Sequence, residues 1–343
     1  MTQPSVFYDY LPVAACHFKK NGPNIKFSDV VTILLPAIKP KSGINPTAKG
    51  PMSSPQKATN LPLRFFLALY LGQGALEMAI PSNAAAATPA AEKLEDLHMA
   101  ALGDSITRAF NANTPIDHPQ NSWSTGNTDS GTFRRGRVRS HAEYLRLLTG
   151  RNVVVHNVAR TGAETTDLQR QVSELSGIEI EYATILIGAN DLCINGEGAL
   201  GQSPDMSLYA ERVERAVETL IDRNPNIKIL LVSIPDMLRL QSIGHETSCQ
   251  SRWSTFAICQ NLLHENISPS DLDTFGAQWR TANDDLRLIA ERHSQNVLYS
   301  SVLSEYPFER KHVSNLDCFH PNIVGQNLLS QETWATGWWG TAK

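Results

Sequence analysis

Residues 99–106 read Met99-Ala100-Ala101-Leu102 followed by Gly103-Asp104-Ser105-Ile106. The first four residues form a short apolar run, which is typical of a parallel strand buried on both faces. Gly103 then allows a tight turn, so that the Ser105 hydroxyl emerges at the carboxyl end of the strand. Ligands bind at this edge in open α/β sheets. The stretch therefore predicts an α/β fold and makes Ser105 a candidate nucleophile, with an ordinary turn serine as the alternative.

Apolar, β-branched runs alternate with helical patterns along the rest of the chain. Apolar residues recur at helical spacing over 209–221 and 272–289. This alternation predicts right-handed crossovers and a parallel sheet covered by helices on both faces. Residues 235–270 lack the pattern and predict a long irregular insertion that is functional or held by cross-links. The predicted strands are residues 99–102, 153–158, 184–187, 227–234 and 296–299.

Composition divides the chain into two parts. With 41% hydrophobic and 19% charged residues and a net charge of -4, the chain is typical of a soluble globular protein and does not indicate nucleic-acid binding. Residues 1–95 predict a poorly ordered extension, and residues 96–343 predict the globular domain. Within the extension, residues 52–90 resemble a secretory signal, with a basic flank, an apolar core and a small-residue zone. A loosely packed segment is the alternative.

Cysteine usage also favours export. Of the five cysteines, Cys16 lies in the extension. The other four allow three pairings, between which the sequence does not choose. Cys249 and Cys259 flank a short segment and could bridge it, and Cys193 and Cys318 could be neighbours in space. Four reduced thiols are the alternative. We expect at least one disulfide if the protein is secreted or periplasmic, whereas a cytoplasmic location would disfavour any.

Several polar residues could supply the groups that a nucleophilic serine needs. His320 is the best candidate base, and Asp317 precedes it at a spacing that could orient the imidazole. Acyl transfer also requires donors aimed at the developing oxyanion. The candidates are the backbone N–H groups of Ser105 and Gly162 and the side-chain amide of Asn190. Each block follows a predicted strand or precedes a helix, so we expect them to meet at one edge of the sheet.

Four separated blocks resemble the SGNH hydrolase (GDSL esterase/lipase) superfamily. They are Gly103–Ile106, Gly162, Gly188-Ala189-Asn190-Asp191 and Asp317-Cys318-Phe319-His320, within roughly residues 98–335. The resemblance implies a flavodoxin-like three-layer α/β/α sandwich with about five parallel strands. It also implies Ser105 as nucleophile, His320 as base, Asp317 as its acid partner, and an oxyanion hole of Ser105, Gly162 and Asn190. The surrounding sequence is similar to secreted bacterial GDSL esterases and to the phospholipase-B-like branch.

These features predict a serine carboxylic ester hydrolase that acts through an acyl-enzyme on small or lipid-like esters. A carbohydrate acetylesterase, a phospholipase and a non-catalytic binding protein are the alternatives. No zinc-ligand spacing or glycine-rich phosphate loop occurs, so we expect no metal and no cofactor. We further expect a monomer without a transmembrane segment in the catalytic domain. The basic cluster at residues 134–139 could attract an anionic substrate, although a solvated surface is the simpler interpretation.

Overall fold

The predicted strands form one parallel sheet. The computed structural model describes residues 94–126, 138–245 and 247–340 of the chain. Every neighbouring pair of strands is parallel, and the order across the sheet is β2-β1-β3-β4-β5. This is the flavodoxin-like order, whose switch point lies between β1 and β3, so the predicted fold is confirmed. The strands are β1 (Leu97–Gly103), β2 (Val153–Asn157), β3 (Tyr182–Leu186), β4 (Lys228–Val232) and β5 (Val297–Ser300).

Helices cover both faces of the sheet. The two predicted helical patterns correspond to α4 (Tyr209–Arg223) and α8 (Pro269–Arg292). α8 begins with a capping box, in which Ser268 Oγ accepts the Asp271 N–H and the Asp271 carboxylate accepts the Ser268 N–H. The helices are α1 (His141–Thr149), α2 (Leu168–Glu174), α3 (Ala189–Leu192), α4 (Tyr209–Arg223), α5 (Met237–Gly244), α6 (Ser248–Thr255), α7 (Gln260–Leu263), α8 (Pro269–Arg292), α9 (Val302–Glu305) and α10 (Ile323–Ala335), with short 3₁₀ turns at Pro119–Asn121, Thr165–Asp167 and Arg310–His312.

The core lies in two layers, one on each face of the sheet. Because successive strand residues point to opposite faces, Ala100 packs in the cluster of α2, α4 and α8, whereas Met99 packs in that of α1 and α10. β3 is buried along its whole length. Trp334 of α10 stacks on Tyr144 of α1, and this contact joins the two helices within the core layer that contains Met99. This burial on both faces gives the three-layer sandwich.

The insertion at residues 235–270 is helical, so the prediction of an irregular segment was wrong. Asp236 caps α5 by accepting the Arg239 N–H, and Thr247 caps α6 by accepting the Cys249 N–H. Helices α5, α6 and α7 each span eight residues or fewer. Such short helices do not develop a repeated apolar stripe, so their periodicity was not visible in the sequence.

Several predictions concern parts of the chain outside the described residues. These are nearly all of the extension 1–95, the signal-like segment 52–90, Cys16, and the arginines of the basic cluster other than Arg139. Across residues 94–126, 138–245 and 247–340, no helix is both long and apolar enough to cross a membrane. The sites discussed below all lie within one compact unit, Ala85–Lys343.

Candidate active site

The turn after β1 presents Ser105 at the carboxyl edge of the sheet. Gly103 has φ +143°, and a Cβ there would lie 2.2 Å from the Leu186 carbonyl oxygen, so only glycine fits. The Gln171 side chain of α2 accepts the Gly103 N–H at 2.8 Å and donates to the Gly103 carbonyl at 2.9 Å. The Asp104 carboxylate accepts the Ile106 N–H at 2.8 Å. These contacts fix the backbone on both sides of the serine.

Ser105, His320 and Asp317 form a continuous hydrogen-bonded chain. His320 Nε2 lies 2.8 Å from Ser105 Oγ, and His320 Nδ1 lies 2.6 Å from Asp317 Oδ2. The rings of Phe110 and Phe319 each meet the imidazole edge-on, with ring centroids 5.1 Å apart. The structure therefore brings together all three predicted side chains, in the order of a serine–histidine–acid arrangement.

Asp317 is buried, but its contacts favour the ionised form of its carboxyl group. Burial raises the pKa of its carboxyl, but the hydrogen bond and charge of His320, the Asn111 amide and the Phe319 N–H together hold the pKa below its usual range. One carboxylate oxygen accepts the backbone N–H groups of Phe319 and His320 at 2.9 and 3.1 Å. The carboxylate is therefore charged and fixed at neutral pH, as a partner for an imidazolium must be.

Asp104 behaves in the opposite way, although it is next to Ser105 in the chain. It is fully buried, and burial raises the pKa of its carboxyl to about 7, against the lowering effects of the Ile106 N–H and the His320 charge. Its Oδ2 has no hydrogen-bond partner within the described residues. Much of the Asp104 population is therefore neutral near pH 7, which limits the negative charge beside Ser105.

The predicted oxyanion donors follow β1, β2 and β3, and the Asn190 side chain of α3 is hydrogen-bonded to the Gly162 loop. Gly162 has φ +81°, and a Cβ added there would meet no described atom within 4 Å, so conformation rather than packing favours glycine. Asn190 Nδ2 donates to the Ala163 carbonyl at 2.8 Å, which leaves its second amide hydrogen for another acceptor. Within the described ranges, the N–H groups of Ser105 and Gly162 have no hydrogen-bond acceptor. These three groups are thus available to a ligand.

All five predicted site residues line one cleft of about 660 Å³. Most of its other walls are apolar, and no lysine or arginine from the described part of the chain lines it. A smaller apolar cavity of about 60 Å³ shares Phe319 with the cleft and is lined by Ile106 and Ala189, the chain neighbours of Ser105 and Asn190. The apolar residues of the cleft are Phe110, Pro115, Phe256, Ile258, Leu316 and Phe319.

The four cysteines of the domain form two disulfides, Cys193–Cys259 and Cys249–Cys318. The suggested bridge from Cys249 to Cys259 is therefore wrong, and Cys193 is not paired with Cys318. Most of α6 separates Cys249 from Cys259 in the folded chain, so their proximity in sequence did not bring them together. Both disulfides instead join the insertion to a site segment, one just after Asn190 and the other between Asp317 and His320.

Metal-binding side chains cluster away from this cleft. In the described ranges, one group of three such residues has ligand atoms close together: Glu214, Glu218 and His293. Both oxygens of the Glu214 carboxylate already accept from Arg292, at 2.6 and 2.8 Å. An ion there would have to compete with this guanidinium, and none of the three residues lines the cleft.

Two residues that support the site were not predicted as site residues. Gln171 holds the Gly103 backbone, and Asn111 donates to Asp317. Their partners lie 68 and 206 residues away in the sequence. No local pattern marks such contacts, because they depend on how the loops fold over the sheet edge.

Several solved structures are similar to this chain at low sequence identity. A protein of Parabacteroides merdae named a GDSL-like lipase is 17% identical, covers 73% of this chain and 97% of its own, and has a TM-score of 0.45. A family 3 carbohydrate esterase of Clostridium thermocellum is 12% identical, with 71% and 95% covered and a TM-score of 0.43. Phospholipase A1 of Streptomyces albidoflavus is 14% identical, with 67% and 94% covered and a TM-score of 0.42. Comparison with curated proteins gives no match.

The family assignment comes from the sequence match. The model of the GDSL-like lipase/acylhydrolase family matches residues 101–328, about two thirds of the chain, from within β1 to within α10. The matched range contains the Ser105 turn, Gly162, Asn190 and the segment from Asp317 to His320. The resemblance noted in the sequence is thereby confirmed, and the chain belongs to the GDSL-like lipase/acylhydrolase family.

Proposed function

We propose that this protein is a serine carboxylic ester hydrolase that works through an acyl-enzyme. Ser105 Oγ attacks the ester carbonyl carbon while His320 Nε2 takes the hydroxyl proton, and Asp317 stabilises the imidazolium. The tetrahedral intermediate collapses, and His320 returns the proton to the departing alcohol. A water molecule then attacks the acyl-enzyme and gives its proton to His320, which returns the proton to Ser105 Oγ as the acid is released. The observation that carries this proposal is the hydrogen-bonded chain from Ser105 through His320 to Asp317.

Ser105, Gly162 and Asn190 are proposed to form the oxyanion hole. Their available donors line the cleft beside the nucleophile. The Asp191 carboxylate accepts the Thr165 N–H at 3.1 Å and so binds the Asn190 segment to the Gly162 loop. Donors held in this way need little reorganisation when charge develops on the substrate oxygen, which is the basis of their catalytic effect.

We propose an uncharged ester with an apolar acyl group as the substrate. The cleft walls are mainly apolar, and no described lysine or arginine is present to pair with a phosphate headgroup. The small apolar cavity next to Phe319 offers further space for a hydrocarbon group. A profile over p-nitrophenyl esters from acetate to palmitate, with acetylated xylan and a phospholipid in parallel, tests this choice. If acetylated xylan or the phospholipid is hydrolysed faster than the p-nitrophenyl esters, that class of compound replaces the uncharged apolar ester as the proposed substrate.

We also make proposals about the location, domain organisation and oligomeric state of the enzyme. Two disulfides favour an oxidising compartment, so we propose that the protein is secreted or periplasmic. We also propose that residues 96–343 form the catalytic domain, that residues 1–95 are an extension carrying a signal-like segment, and that the enzyme is monomeric. None of the proposed steps uses a metal ion, so treatment with EDTA is expected to leave ester hydrolysis unchanged.

The proposed reaction is tested by comparing two serine variants on p-nitrophenyl butyrate. Ser105→Ala is expected to lower kcat by at least about 10³-fold, because no other group can form the acyl-enzyme. Ser124→Ala is the matched control, since Ser124 is also buried but its hydroxyl contacts Thr184, which does not line the cleft. Equal hydrolysis by wild type and Ser105→Ala would contradict the mechanism. Inactive wild type on every ester would favour the non-catalytic binding protein.

A further inference from the structure

Asn111 combines a positive φ, which asparagine adopts more readily than most non-glycine residues, with a buried side-chain oxygen that packing does not explain. It is buried and non-glycine, yet it has φ +55°. Its side-chain oxygen is buried and has no hydrogen-bond partner within the described residues. Glycine would suit the backbone better, and an apolar residue would avoid the unpartnered oxygen. The one favourable side-chain contact given by the structure is the hydrogen bond from Asn111 Nδ2 to Asp317 Oδ2.

This contact joins the loop of the nucleophile to the acid. Asp317 Oδ2 accepts from both Asn111 Nδ2 and His320 Nδ1, whereas its other oxygen accepts two backbone N–H groups. A carboxylate can only accept, so the amide must face it with its nitrogen. The backbone carbonyl of Asn111 separately accepts a hydrogen bond from the Ser314 hydroxyl at 2.7 Å. This bond also joins the loop of the nucleophile to the segment that precedes Asp317.

We propose that Asn111 is a positioning residue that holds the Asp317 carboxylate in line with His320. The inference rests on the proposed function, because it assigns Asn111 a part in the same reaction. Its amide donates one hydrogen bond to the acid without adding charge, so the carboxylate keeps its orientation while the imidazole gains and loses a proton. Phe110, the preceding residue, contacts the imidazole edge, so this short segment supports both the base and the acid.

Other charged groups near the pair are few and act from separate elements. Asp104, at the end of β1, interacts with His320, and Arg310 interacts with Asp317 from the 3₁₀ turn. Arg310 Nη2 also lies 3.2 Å from the sulfur of Cys318. Asp191 interacts with Asp104. None of these groups donates a hydrogen bond to the Asp317 carboxylate, so among the described residues Asn111 is the side-chain donor to the acid other than His320 itself.

Two substitutions at Asn111 separate this role from a structural one. Asn111→Gly suits the positive φ and removes the donor, so kcat is expected to fall about 10-fold to 100-fold with KM nearly unchanged. Asn111→Asp keeps the shape, but it can donate only when protonated. The ratio of wild-type to Asn111→Asp kcat/KM is therefore expected to rise as pH increases from 6 to 8.5, whereas the ratio for Asn111→Gly stays constant.

The matched control is Asn157→Asp. The side-chain oxygen of Asn157 is also buried and has no hydrogen-bond partner among the described residues. Its Nδ2 donates to the Thr107 backbone carbonyl and to Thr125 Oγ1, both on the loop that follows β1, and not to Asp317. Its kcat/KM ratio to wild type is expected to be independent of pH. Rates are normalised to sites titrated with a phosphonate, so loss of folded protein is removed from the comparison. The inference is overturned if the wild type is active, both Asn111 variants keep its kcat, and the ratios of wild-type to variant kcat/KM do not change with pH. That result would leave the proposed function intact, whereas wild-type activity in Ser105→Ala would overturn the proposed function.

Discussion

At the scale of single residues, burial shifts the pKa values of Asp104 and His141 in opposite directions. Burial raises the pKa of Asp104 from 3.8 to about 7. Burial lowers the pKa of His141 from 6.5 to about 3, in a site where its two ring nitrogens contact Tyr182 and Thr333 at 2.8 and 2.9 Å. Both groups are therefore largely neutral in the folded protein across mildly acidic pH.

Their effects on stability are expected to cancel between about pH 4 and pH 6.5. Folded Asp104 holds a proton that the unfolded chain releases above pH 3.8, so its contribution to stability is full at low pH and is lost as pH rises through about 7. The unfolded chain protonates His141 below pH 6.5 while the folded chain does not, so its contribution falls as pH falls. Each slope is about 1.4 kcal/mol per pH unit at most.

Urea unfolding at pH 4.5, 5.5 and 6.5 tests this balance. Relative to wild type, the free energy of unfolding of Asp104→Asn is expected to decrease as pH falls, because His141 is no longer opposed. For His141→Gln it is expected to increase as pH falls. All other groups are common to the three proteins and drop out of the differences. Variants whose slopes both match wild type would show that neither residue is neutral and buried in the folded state.

At the scale of elements, the helical insertion supports the site from one side. From α6, Arg252 donates to the Leu316 carbonyl at 3.2 Å and Trp253 Nε1 donates to the Cys318 carbonyl at 3.1 Å. Together with the disulfide from Cys249, three residues of one helix face thus hold the segment that carries Asp317 and His320. Gly244 at the end of α5 leaves room for this arrangement, since a Cβ there would lie 2.1 Å from the Trp253 ring.

The two disulfides are good controls for each other. They close segments of similar length, with separations of 66 and 69 residues, so removing either is expected to cost a similar free energy of unfolding, about 4 kcal/mol. Each also contains one cysteine with positive φ. Cys249→Ala/Cys318→Ala should lower kcat more than Cys193→Ala/Cys259→Ala, because Asn190 keeps its bond to Ala163.

Thermal unfolding and kcat per titrated site, measured for both double variants, check this expectation. Similar losses of stability with a larger loss of kcat for the Cys249–Cys318 pair would support the role of α6 in holding the acid and base. Equal kcat values for the two variants would mean that the disulfides contribute stability alone.

The elements also show why part of this architecture could be predicted from sequence and part could not. The strands and the helices α4 and α8 have repeated apolar patterns, so each could be predicted from its own residues. Pairing of Cys249 with Cys318, rather than with nearby Cys259, depends on the direction in which α6 leaves α5. That direction is set by packing, such as Trp253 beside Gly244, which no local pattern encodes.

At the scale of the whole molecule, strand order brings the distant residues together. Ser105 follows β1, and Asn190 follows β3, its neighbour in the sheet; the loop of Gly162 follows β2 on the other side of β1. Because all strands are parallel, these loops share one edge, and the prediction that the blocks converge there was correct in its geometry. Asn111 was missed because its contact with Asp317 depends on the path of an irregular loop.

Covalent labelling by a p-nitrophenyl alkylphosphonate, followed by mass spectrometry of intact and digested protein, tests most directly whether Ser105 is the nucleophile. One adduct per molecule is expected on Ser105, absent from Ser105→Ala and formed far more slowly in His320→Ala, because the imidazole must take the serine proton. Circular dichroism of each variant shows whether it is folded. An adduct on a different serine, or equal labelling of wild type and Ser105→Ala, would contradict the assignment of Ser105 as the nucleophile.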